Sequence, residues 1–421
     1  MSTPLQADDT VVVIGAGQAG VQTAEALRTL GFTGAITLLG DESHAPYHRP
    51  PLSKAWMAGE MDAAQLVMRS PEVLARKNIT LRTDCTVRAI DRAAKTVALA
   101  DGSSLPYSGL VLATGSTPRR LSLPGADAKG VLALRSRDDA SAISAQMAVC
   151  VEKGLGVVVI GGGFIGLEVA ATARKKGLTV TVLEAAPRLL GRVLAPVLSD
   201  WYAALHRSHG VHLVLDAKVA ALDVDAAGSV SGVRMADGSV VPAGLVVVGI
   251  GVAANDQLAV AAGLSCERGI VVDACGRTND AAIVAAGDCT ARRVADGSLL
   301  RLESVQNATE QGKSAAAALM GQDRPFTATP WFWSDQYDKK LQMAGLSMGA
   351  DAWAVRGDMA GELATASFTV FHFQGSRLLA ADSVNASKDH LTVRKLLDAG
   401  VSPTPQQATD AAFDLASLIA K

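Results

Sequence analysis

The stretch VVVIGAGQAG, residues 11–20, joins four consecutive β-branched side chains to three glycines in a G-x-G-x-x-G pattern. A short β-branched run of this kind is typical of a buried strand in a parallel sheet. Residues Val21 to Leu30 then follow a helical pattern that ends at Gly31. A second apolar run, Ile36 to Leu39, is followed by Gly40-Asp41-Glu42. The sequence therefore predicts a strand, a glycine loop, a helix and a second strand in direct succession.

The same unit occurs a second time in the middle of the chain. Residues 157–166, VVVIGGGFIG, repeat the strand and the glycine spacing, and a helical pattern continues to about Lys176 before Gly177. The next apolar run, Thr179 to Leu183, ends at Glu184, so both copies carry an acid after their second strand. One glycine-rich turn is weak support for any function because such turns are common, but a repeat in matching context is specific.

The spacing of the glycines has a chemical reason. In a dinucleotide-binding unit the first glycine makes the tight turn, the second lets the backbone approach a pyrophosphate, and the third packs the helix on the strand. The helix N-terminus offers unpaired N–H groups to the phosphates, and the acid accepts hydrogen bonds from a ribose. The six glycines are Gly15, Gly17 and Gly20 in the first copy and Gly161, Gly163 and Gly166 in the second. Two such units predict two dinucleotides on one chain, with Asp41 or Glu42 as the first ribose acid and Glu184 as the second.

Two shorter motifs indicate which dinucleotide binds where. The apolar strand Ile283–Ala286 runs into Gly287-Asp288, and the strand Leu110–Leu112 runs into Ala113-Thr114-Gly115. The first resembles the motif by which two-dinucleotide flavoproteins lay an aspartate against the ribityl chain of FAD. The second resembles the strand that these proteins run near FAD where two domains join. Either motif alone is compatible with an ordinary strand and turn.

These resemblances imply an α/β fold with two Rossmann-like dinucleotide-binding domains, one for FAD and one for NAD, and a C-terminal α+β interface domain. The FAD domain is expected to be discontinuous, at residues 1–119 and 250–328. The NAD domain, 120–249, is inserted in it, and the interface domain covers 329–421.

Composition excludes several other classes of protein. The 421 residues include 39 Lys and Arg against 41 Asp and Glu, a net charge of −2, whereas a general nucleic-acid binder carries a basic excess. The longest uncharged stretch, 238–255, is interrupted by Pro242 and three glycines, so we expect no membrane-spanning helix. Residues 1–10 contain no Lys or Arg, which predicts no signal peptide and a cytoplasmic protein. The five cysteines have neither disulfide-framework density nor metal-ligand spacing, so we expect free thiols and no metal.

Two further segments carry a family resemblance. They are PYHRPPLSK at 46–54 and PWFWSDQ at 330–336. Together with the two glycine loops and Gly287-Asp288, they make the chain similar over essentially its whole length to the NADH-dependent ferredoxin reductases of bacterial oxygenase systems. These are two-dinucleotide FAD flavoproteins of putidaredoxin reductase and biphenyl dioxygenase reductase type. The resemblance implies FAD and NADH as cofactors and an iron–sulfur ferredoxin as partner, which feeds an oxygenase or a cytochrome P450.

The resemblance also implies roles for individual residues. A lysine at the position of Lys54 lies by the flavin N5 and pairs with a glutamate at the position of Glu168, where a cation stabilises the anionic reduced flavin. Trp333, with Trp331 as a competitor, is expected against the nicotinamide and flavin rings. Glu303 and Gln306 precede a helix expected at 307–319, whose N-terminus would stabilise negative charge on the flavin. The other expected cofactor-binding positions are Arg49, Pro50, Ala113, Thr114, Gly115, Arg119, Gly287, Asp288, Val305, Ile165, Arg192 and Gly249.

The position of the cysteines bears on the electron path. Disulfide reductases of this architecture carry a cysteine pair just after the first unit. This sequence has no cysteine before Cys85, and residues 49–52, RPPL, occupy the expected place. The predicted path therefore runs from NADH to the flavin to an external one-electron carrier, without a thiol relay.

Glu184 predicts a preference for NADH, because a carboxylate there accepts from both ribose hydroxyls and repels a 2′-phosphate. Its neighbours Ala185 and Ala186 offer no positive charge. Arg188 and Arg192 follow, and the sequence leaves open whether they reach the adenosine or the pyrophosphate or are ordinary surface charges.

Other functions fit the same fold. One is a reductase for a small molecule such as oxygen or an ascorbyl radical, and another is a redox flavoprotein like apoptosis-inducing factor. A ferredoxin is generally acidic, so basic side chains near the flavin edge are candidates for docking. These are Arg292, Arg293, Arg301, Lys339, Lys340, Arg394 and Lys395. The sequence does not distinguish a monomer from a homodimer.

Overall fold

The computed structural model describes residues 4–294 and 297–419. The chain divides into two compact units. The first unit comprises Met1–His48, Ala63–Thr117 and Val252–Thr327, and the second comprises Arg49–Asp62, Pro118–Gly251 and Ala328–Lys421. Residues 120–249 and 329–421, expected to be separate domains, thus both belong to the second unit. The three-domain division stays a prediction.

The first unit is built on a five-stranded parallel sheet. Its strands, in spatial order, are Ile283–Ala285, Gly109–Leu112, Thr10–Ile14, Ala35–Leu39 and Ile79–Arg82. Residues 11–14 are all buried, because helices and further strands cover both faces of a parallel sheet. The β-branched run that opens the sequence is therefore the central strand of this sheet.

Two long helices pack against each other in the first unit. Gln18–Thr29 begins directly after Gly17, three residues earlier than the sequence predicts, and Val305–Leu319 lies beside it. A Cβ on Gly312 would stand 2.9 Å from the carbonyl oxygen of Ala19, so the close approach of the helices requires glycine there. The shorter helices of this unit are Ala63–Leu66, Pro71–Arg76 and Gln257–Ala261.

Small sheets complete the first unit. An antiparallel meander consists of Val87–Asp91, Thr96–Leu99 and Ser104–Pro106. A second three-stranded sheet consists of Ile270–Val272, Thr290–Arg293 and Leu299–Leu300. The short strands Ser116–Pro118 and Val252–Ala254 lie where the chain passes between the units.

The second unit contains another five-stranded parallel sheet. Its spatial order is Val211–Val214, Val180–Leu183, Val157–Ile160, Leu245–Val248 and Val131–Ala133. The antiparallel strands Val219–Val224, Val230–Met235 and Val240–Pro242 pack on it. Its helices are Arg137–Lys153, Phe164–Lys175 and Pro196–Ser208, and the segment that joins it from the first part of the chain forms a 3-10 turn, Pro50–Ser53, and a short helix, Ala55–Ala58.

The C-terminal part of the second unit is an antiparallel sheet with helices. Its strands, in spatial order, are Trp331–Gln336, Lys339–Gly345, Arg377–Val384, Ser367–Gln374 and Ala352–Asp358. The helix Ser387–Asp398 buries Val393 and Leu396 against Phe371 of the sheet. The remaining short elements are Leu363–Thr365, Pro405–Thr409 and Leu415–Leu418.

This architecture confirms the predicted fold class. Two Rossmann-like parallel sheets follow the two glycine repeats, and an α+β region with an antiparallel sheet ends the chain. Among residues 4–294 and 297–419, none of the helices has the length and apolar character needed to span a bilayer.

Candidate functional site

The first glycine loop is shaped by contacts that leave no room for a side chain. Gly15 has φ +110°, and a Cβ there would lie 2.1 Å from the carbonyl oxygen of Ala113. A Cβ on Gly20 would lie 1.9 Å from the carbonyl oxygen of Gly15. The first glycine therefore permits the turn against the neighbouring strand, and the third permits the helix to pack on the loop.

The second loop repeats this arrangement in the second unit. Gly161 has φ +112°, and a Cβ there would lie 2.4 Å from the carbonyl oxygen of Gly249. A Cβ on Gly166 would lie 2.2 Å from the carbonyl oxygen of Gly161. Gly249 thus takes the place that Ala113 has in the first copy, at the end of the adjacent parallel strand. Ala113 and Gly249 are therefore equivalent positions of the two repeats.

The middle glycine of each loop faces open space. Gly17 and Gly163 are the N-caps of their helices, with φ −82° and −84°, and a Cβ on either would meet no protein atom within 4 Å. Nothing in the fold therefore requires glycine at these two positions. A pyrophosphate that approaches the backbone at the N-terminus of the helix does require it. The residues present thus fit a dinucleotide phosphate at each loop.

The acid of the second unit is held by backbone donors. Glu184 Oε2 accepts a hydrogen bond from the Gly162 N–H at 2.6 Å, and Oε1 accepts from the Ala186 N–H at 2.7 Å. A Cβ on Gly162 would lie 3.1 Å from Glu184 Oε2 and 2.5 Å from Leu189. Gly162 therefore positions the carboxylate, which the sequence did not indicate. Each oxygen keeps a further lone pair for a ribose hydroxyl.

The acids of the first unit are arranged differently. Asp41 is exposed, whereas Glu42 is partly buried and accepts a hydrogen bond from the Tyr47 hydroxyl. Both follow the strand Ala35–Leu39, at the same edge of the sheet as the first glycine loop. Glu42 is thus the more firmly held of the two acids, and the choice between them as the ribose acid stays a prediction.

The Gly-Asp motif lies beside the first glycine loop. Gly287 has φ +86°, and a Cβ on it would lie 2.9 Å from the Cβ of Ala19. Asp288 accepts a hydrogen bond from the Ser116 hydroxyl at 3.1 Å. The structure therefore brings Gly287 and Asp288 next to the loop of residues 15–20, within the first unit.

The neighbouring Ala113-Thr114-Gly115 turn is fixed by one asparagine. Asn255 Nδ2 donates to the carbonyl oxygen of Thr114 at 2.9 Å, and the Thr114 hydroxyl donates to the carbonyl oxygen of Asn255 at 2.5 Å. Gly115 has φ +69°, which favours glycine in this turn. Asn255 is a residue that the sequence analysis missed.

The last helix of the first unit begins earlier than predicted. It starts at Val305 rather than at 307, because Ser304 caps it by accepting a hydrogen bond from the Asn307 N–H at 3.0 Å. Val305 and Gln306 therefore lie in the first turn, where backbone N–H groups have no partner within the helix. Glu303 is exposed and forms an ion pair with Arg301 at 3.0 Å.

Lys54 and Glu168 form an ion pair within the second unit. Lys54 Nζ lies 2.7 Å from Glu168 Oε2, and the side chains are 21% and 2% exposed. Lys54 also donates to the carbonyl oxygen of Pro50 at 3.1 Å. A carboxylate that is this deeply buried needs such partners, since an unpaired charge in the interior is strongly destabilising.

Two serines complete the surroundings of Glu168, and the sequence analysis missed both. The Ser53 hydroxyl donates to Oε2 at 2.5 Å, and the Ser334 hydroxyl donates to Oε1 at 2.7 Å. Ser53 precedes Lys54 and Ser334 follows Trp333, so both lie in segments already singled out. The residue pattern of this segment did not predict that a serine on the strand Trp331–Gln336 would be buried.

The aromatic segment packs in two directions. Phe332 contacts Phe164, at the start of the second glycine-loop helix, with ring centroids 4.9 Å apart. Trp331 is covered by the Arg394 guanidinium at 5.0 Å from its ring and by His390. Trp333 is partly exposed and has neither of these contacts, so its side chain remains the better candidate to meet a ligand.

The other predicted positions of the second unit differ in their exposure to solvent. Arg49 donates to the carbonyl oxygen of Arg135 at 2.8 Å, Arg119 and Arg192 are exposed, and Ile165 is 46% exposed in the first turn of its helix. Arg49, Pro50, Lys54 and Arg119, all expected to contact a cofactor, belong to the unit that carries the second glycine loop. Their roles stay predictions.

Arg188 has a structural role. Its guanidinium donates to the carbonyl oxygens of Gly191 and Leu194 at 2.7 and 2.6 Å, and to the Ser199 hydroxyl at 3.2 Å. These hydrogen bonds hold the loop after Glu184, and a contact of Arg188 with a bound nucleotide stays a prediction. Arg192 is the exposed basic residue of this loop.

The proposed basic docking residues are not all at the surface. Lys339 is wrong as a docking residue, because it is 1% exposed and forms an ion pair with Asp338 at 2.7 Å. Arg292 is partly buried, and its guanidinium carbon lies 5.1 Å from the centroid of the Phe326 ring. The exposed members are Arg293, Lys340 and Lys395.

The five cysteines are all free. Four are buried, and Cys266 is partly buried. Burial raises the pKa of Cys85, Cys150 and Cys289 above the usual thiol range and that of Cys266 to about 11. Such thiols stay protonated near neutral pH and are poor nucleophiles.

Comparison with known proteins agrees with this arrangement over the whole chain. A family model described as pyridine nucleotide-disulphide oxidoreductase matches residues 9–312, and one described as reductase C-terminal matches residues 331–419. Rhodocoxin reductase from Rhodococcus erythropolis is 46% identical over 413 residues, which are 98% of this chain and 95% of that protein.

Two solved structures are similar in the same way. The ferredoxin reductase for the CYP199A2 system from Rhodopseudomonas palustris has a TM-score of 0.93 and 41% identity, with 98% of this chain and 100% of that chain covered. The covalent putidaredoxin reductase–putidaredoxin complex gives a TM-score of 0.93 and 41% identity, with 99% of each chain covered. The chain belongs to the pyridine nucleotide-disulphide oxidoreductase family, among its ferredoxin reductases of putidaredoxin reductase type.

Proposed function

We propose that this protein takes hydride from NADH with FAD as its cofactor and passes electrons one at a time to an iron–sulfur ferredoxin, which feeds an oxygenase or a cytochrome P450. The observation that carries the proposal is the pair of glycine loops, each with an opening at its middle glycine, on a chain similar throughout to ferredoxin reductases. FAD supplies the chemistry, because it accepts two electrons together and returns them singly. NADH is a cytoplasmic reductant, so we place the reaction in the cytoplasm.

The chain's own residues would bind and orient the two dinucleotides. In this proposal the loop of residues 15–20, with Glu42 and Asp288, holds FAD, and the loop of residues 161–166, with Glu184, holds NADH. The Lys54–Glu168 pair supports a role in stabilising negative charge on the reduced ring, as the family resemblance implies. Glu168 would hold the ammonium group of Lys54 in place.

The central test is ferredoxin-dependent electron transfer. We expect the purified protein to contain one FAD without a covalent link and to reduce cytochrome c with NADH only when a ferredoxin is added. Purified protein without flavin absorbance would contradict the proposal. Fast oxidation of NADH by oxygen alone, with no gain on adding ferredoxin, would instead favour a small-molecule reductase.

We expect Glu184→Gln to narrow the preference for NADH over NADPH by about tenfold or more in kcat/KM. The carboxylate repels the 2′-phosphate, and two unit charges a few ångströms apart near a protein surface interact by a few kcal/mol. Glu42→Gln, in the corresponding position of the first unit, should leave the preference unchanged. Wild-type protein that uses both nucleotides equally well would show that Glu184 does not select.

We expect a variant with all five cysteines replaced by alanine to keep at least about half of its ferredoxin-dependent turnover, if it folds. None of the five thiols is fully exposed, and thiols removed from solvent are poorly suited to pass electrons to an external partner. The measurement compares turnover per bound FAD in the variant and the wild type. A loss of more than about tenfold at full FAD content would indicate a redox cysteine.

A further inference from the structure

A row of buried polar side chains runs from Glu168 through the interior of the second unit. Ser334 contacts Glu168 Oε1, Gln336 Nε2 lies 3.2 Å from Ser334 Oγ, and His206 Nε2 lies 2.8 Å from Gln336 Oε1. The Tyr337 hydroxyl lies 3.1 Å from His206 Nδ1. Ser334, Gln336 and His206 are all 0% exposed. We call Tyr337, His206, Gln336 and Ser334 the Glu168 relay.

In every hydrogen bond of the relay, the donor is the group farther from Glu168 and the acceptor is the group nearer to it. Burial lowers the pKa of His206 to about 4, so its imidazole is neutral near neutral pH. Because Gln336 Oε1 only accepts, His206 Nε2 carries the proton and donates to it, which leaves Nδ1 to accept from the Tyr337 hydroxyl. The Gln336 amide then donates to Ser334, and Ser334 donates to the carboxylate.

This direction has a physical consequence for Ser334. A serine hydroxyl rotates freely and has one hydrogen and two acceptor sites. The Gln336 N–H occupies an acceptor site of Ser334, which favours aiming the hydroxyl hydrogen at Glu168 Oε1. Each member of the relay therefore orients the next, and hydrogen bonds in such a chain strengthen one another.

The relay is not suited to conduct protons. A proton passing Gln336 would have to convert the side-chain amide into its imidic acid form, whereas an amide accepts at oxygen and donates at nitrogen without changing its protonation. Lys54, at 21% exposure, already connects the carboxylate with solvent. The arrangement is thus one of orientation.

The relay also connects two parts of the proposed site. Successive residues of a strand point to opposite sides, so the strand Trp331–Gln336 presents Trp333 on one side and Ser334 and Gln336 on the other. The aromatic residue expected to meet the nicotinamide and the hydroxyl that holds Glu168 are therefore neighbours on one short strand.

We propose that Ser334, Gln336 and His206 are positioning residues that hold the Glu168 carboxylate, and through it the Lys54 ammonium, in the orientation that flavin reduction requires. This inference rests on the proposed function for the role of Lys54. None of the three residues needs to touch a cofactor.

A double-mutant cycle tests whether the relay acts through Glu168. We expect Ser334→Ala and Gln336→Leu each to slow the reduction of bound FAD by NADH about three- to tenfold, the range for the loss of one ordinary hydrogen bond. In a Glu168→Gln background the same changes should have less than about a twofold effect, because no carboxylate is left to orient. Ser334→Thr, which keeps the hydroxyl, should restore the wild-type rate. Ser383→Ala removes a buried hydroxyl of the same sheet that bonds Thr369 instead, and should leave the rate unchanged.

Two further measurements do not depend on turnover. The reduction potential of the bound flavin should shift in the same direction in Ser334→Ala, Gln336→Leu and Glu168→Gln. Isotope-edited NMR of the imidazole nitrogens in the purified wild-type protein should show His206 neutral, with its proton on Nε2, and Gln336→Leu should alter that signal. The wild-type NMR measurement decides the direction of the relay even if a variant fails to fold.

The outcomes separate this inference from the proposed function. Equal losses in both backgrounds would make the relay a merely structural element and overturn the inference, as would a charged His206 or a proton on Nδ1. A wild-type rate in Ser334→Ala and Gln336→Leu, while Glu168→Gln is slow, would overturn the inference and leave the ion pair's role intact. A wild-type rate in Glu168→Gln itself would refute the proposed role of the ion pair, and this inference with it.

Discussion

Gly17→Val is expected to give a folded protein that has lost FAD, whereas Gly163→Val should keep FAD but no longer accept hydride from NADH. Both glycines have an unremarkable negative φ and open space around the Cβ position, so neither substitution meets protein atoms at that point. Each valine would instead occupy the space through which a pyrophosphate reaches the backbone. Loss of two hydrogen bonds to charged phosphate oxygens, at about 1.5–3 kcal/mol each, predicts a fall in affinity of roughly 100- to 10,000-fold.

The two variants are matched controls for each other. Each replaces a helix N-cap glycine, for which the expected cost in stability is about 1 kcal/mol, so the thermal unfolding of the FAD-free proteins should change little and equally. The measurements are FAD content after gel filtration and the reduction of bound flavin by NADH and by dithionite. Gly163→Val should be reduced by dithionite and not by NADH. If Gly17→Val retains FAD, the first loop does not bind its pyrophosphate.

The two dinucleotide sites could be predicted from the sequence because each is indicated by residues that are close together in the chain. The spacing of three glycines between a strand and a helix predicts the steric role of each glycine. The contacts of Gly15 and Gly20 in the first loop, and of Gly161 and Gly166 in the second, agree with those roles. A second copy made coincidence implausible. The same repeat predicted the fold class, because a strand–helix–strand unit joins two parallel strands and two such units indicate two parallel sheets covered by helices.

The polar surroundings of Glu168 were not accessible in the same way. The sequence suggested Lys54 and Glu168 only by resemblance, and nothing in it indicated that Ser53 and Ser334 bind the same carboxylate. These residues come from three distant segments, and a serine on a strand is usually exposed. The burial of Lys339 was missed for a related reason, since a lysine is ordinarily a surface residue and Asp338 beside it gave no sign that the ammonium group lies inside.

The start of the last helix of the first unit was expected two residues too late. The helix was expected to begin at residue 307, but it begins at Val305, because the Ser304 side chain caps it by accepting from the Asn307 N–H. The cap matters for function because it moves Val305 and Gln306 into the first turn, where unpaired N–H groups can stabilise a negative charge.

Lys54→Met is expected to slow the reduction of bound FAD by NADH about 10- to 100-fold while FAD content stays at the wild-type level. Removing one preorganised group that stabilises developing charge costs about 100-fold or more in a dry site, and the residual exposure of Lys54 reduces that figure. The loop that we propose to bind the FAD pyrophosphate, residues 15–20, is a different segment of the chain. Rapid mixing of the oxidised variant with NADH measures the rate directly.

Glu168→Gln should slow the same step by a similar factor, because the two groups act as a pair. The amide keeps the volume of the side chain but leaves the ammonium of Lys54 without its counter-charge, so the cation is free to move toward solvent. Lys175→Met is the matched control, because it removes a lysine from the same helix as Glu168. Lys175 is 63% exposed and pairs with Glu60, and an exposed pair of this kind contributes at most about 1 kcal/mol.

The double variant that combines Lys54→Met with Glu168→Gln tests whether the two groups act as one pair. Since these substitutions remove the two members of one interaction, the double variant should be no slower than about the slower single variant, whereas independent roles would multiply the losses. A double variant slowed by the product of the two factors would show that Lys54 and Glu168 act on the reaction separately, and a wild-type rate in both single variants would remove the pair from the mechanism.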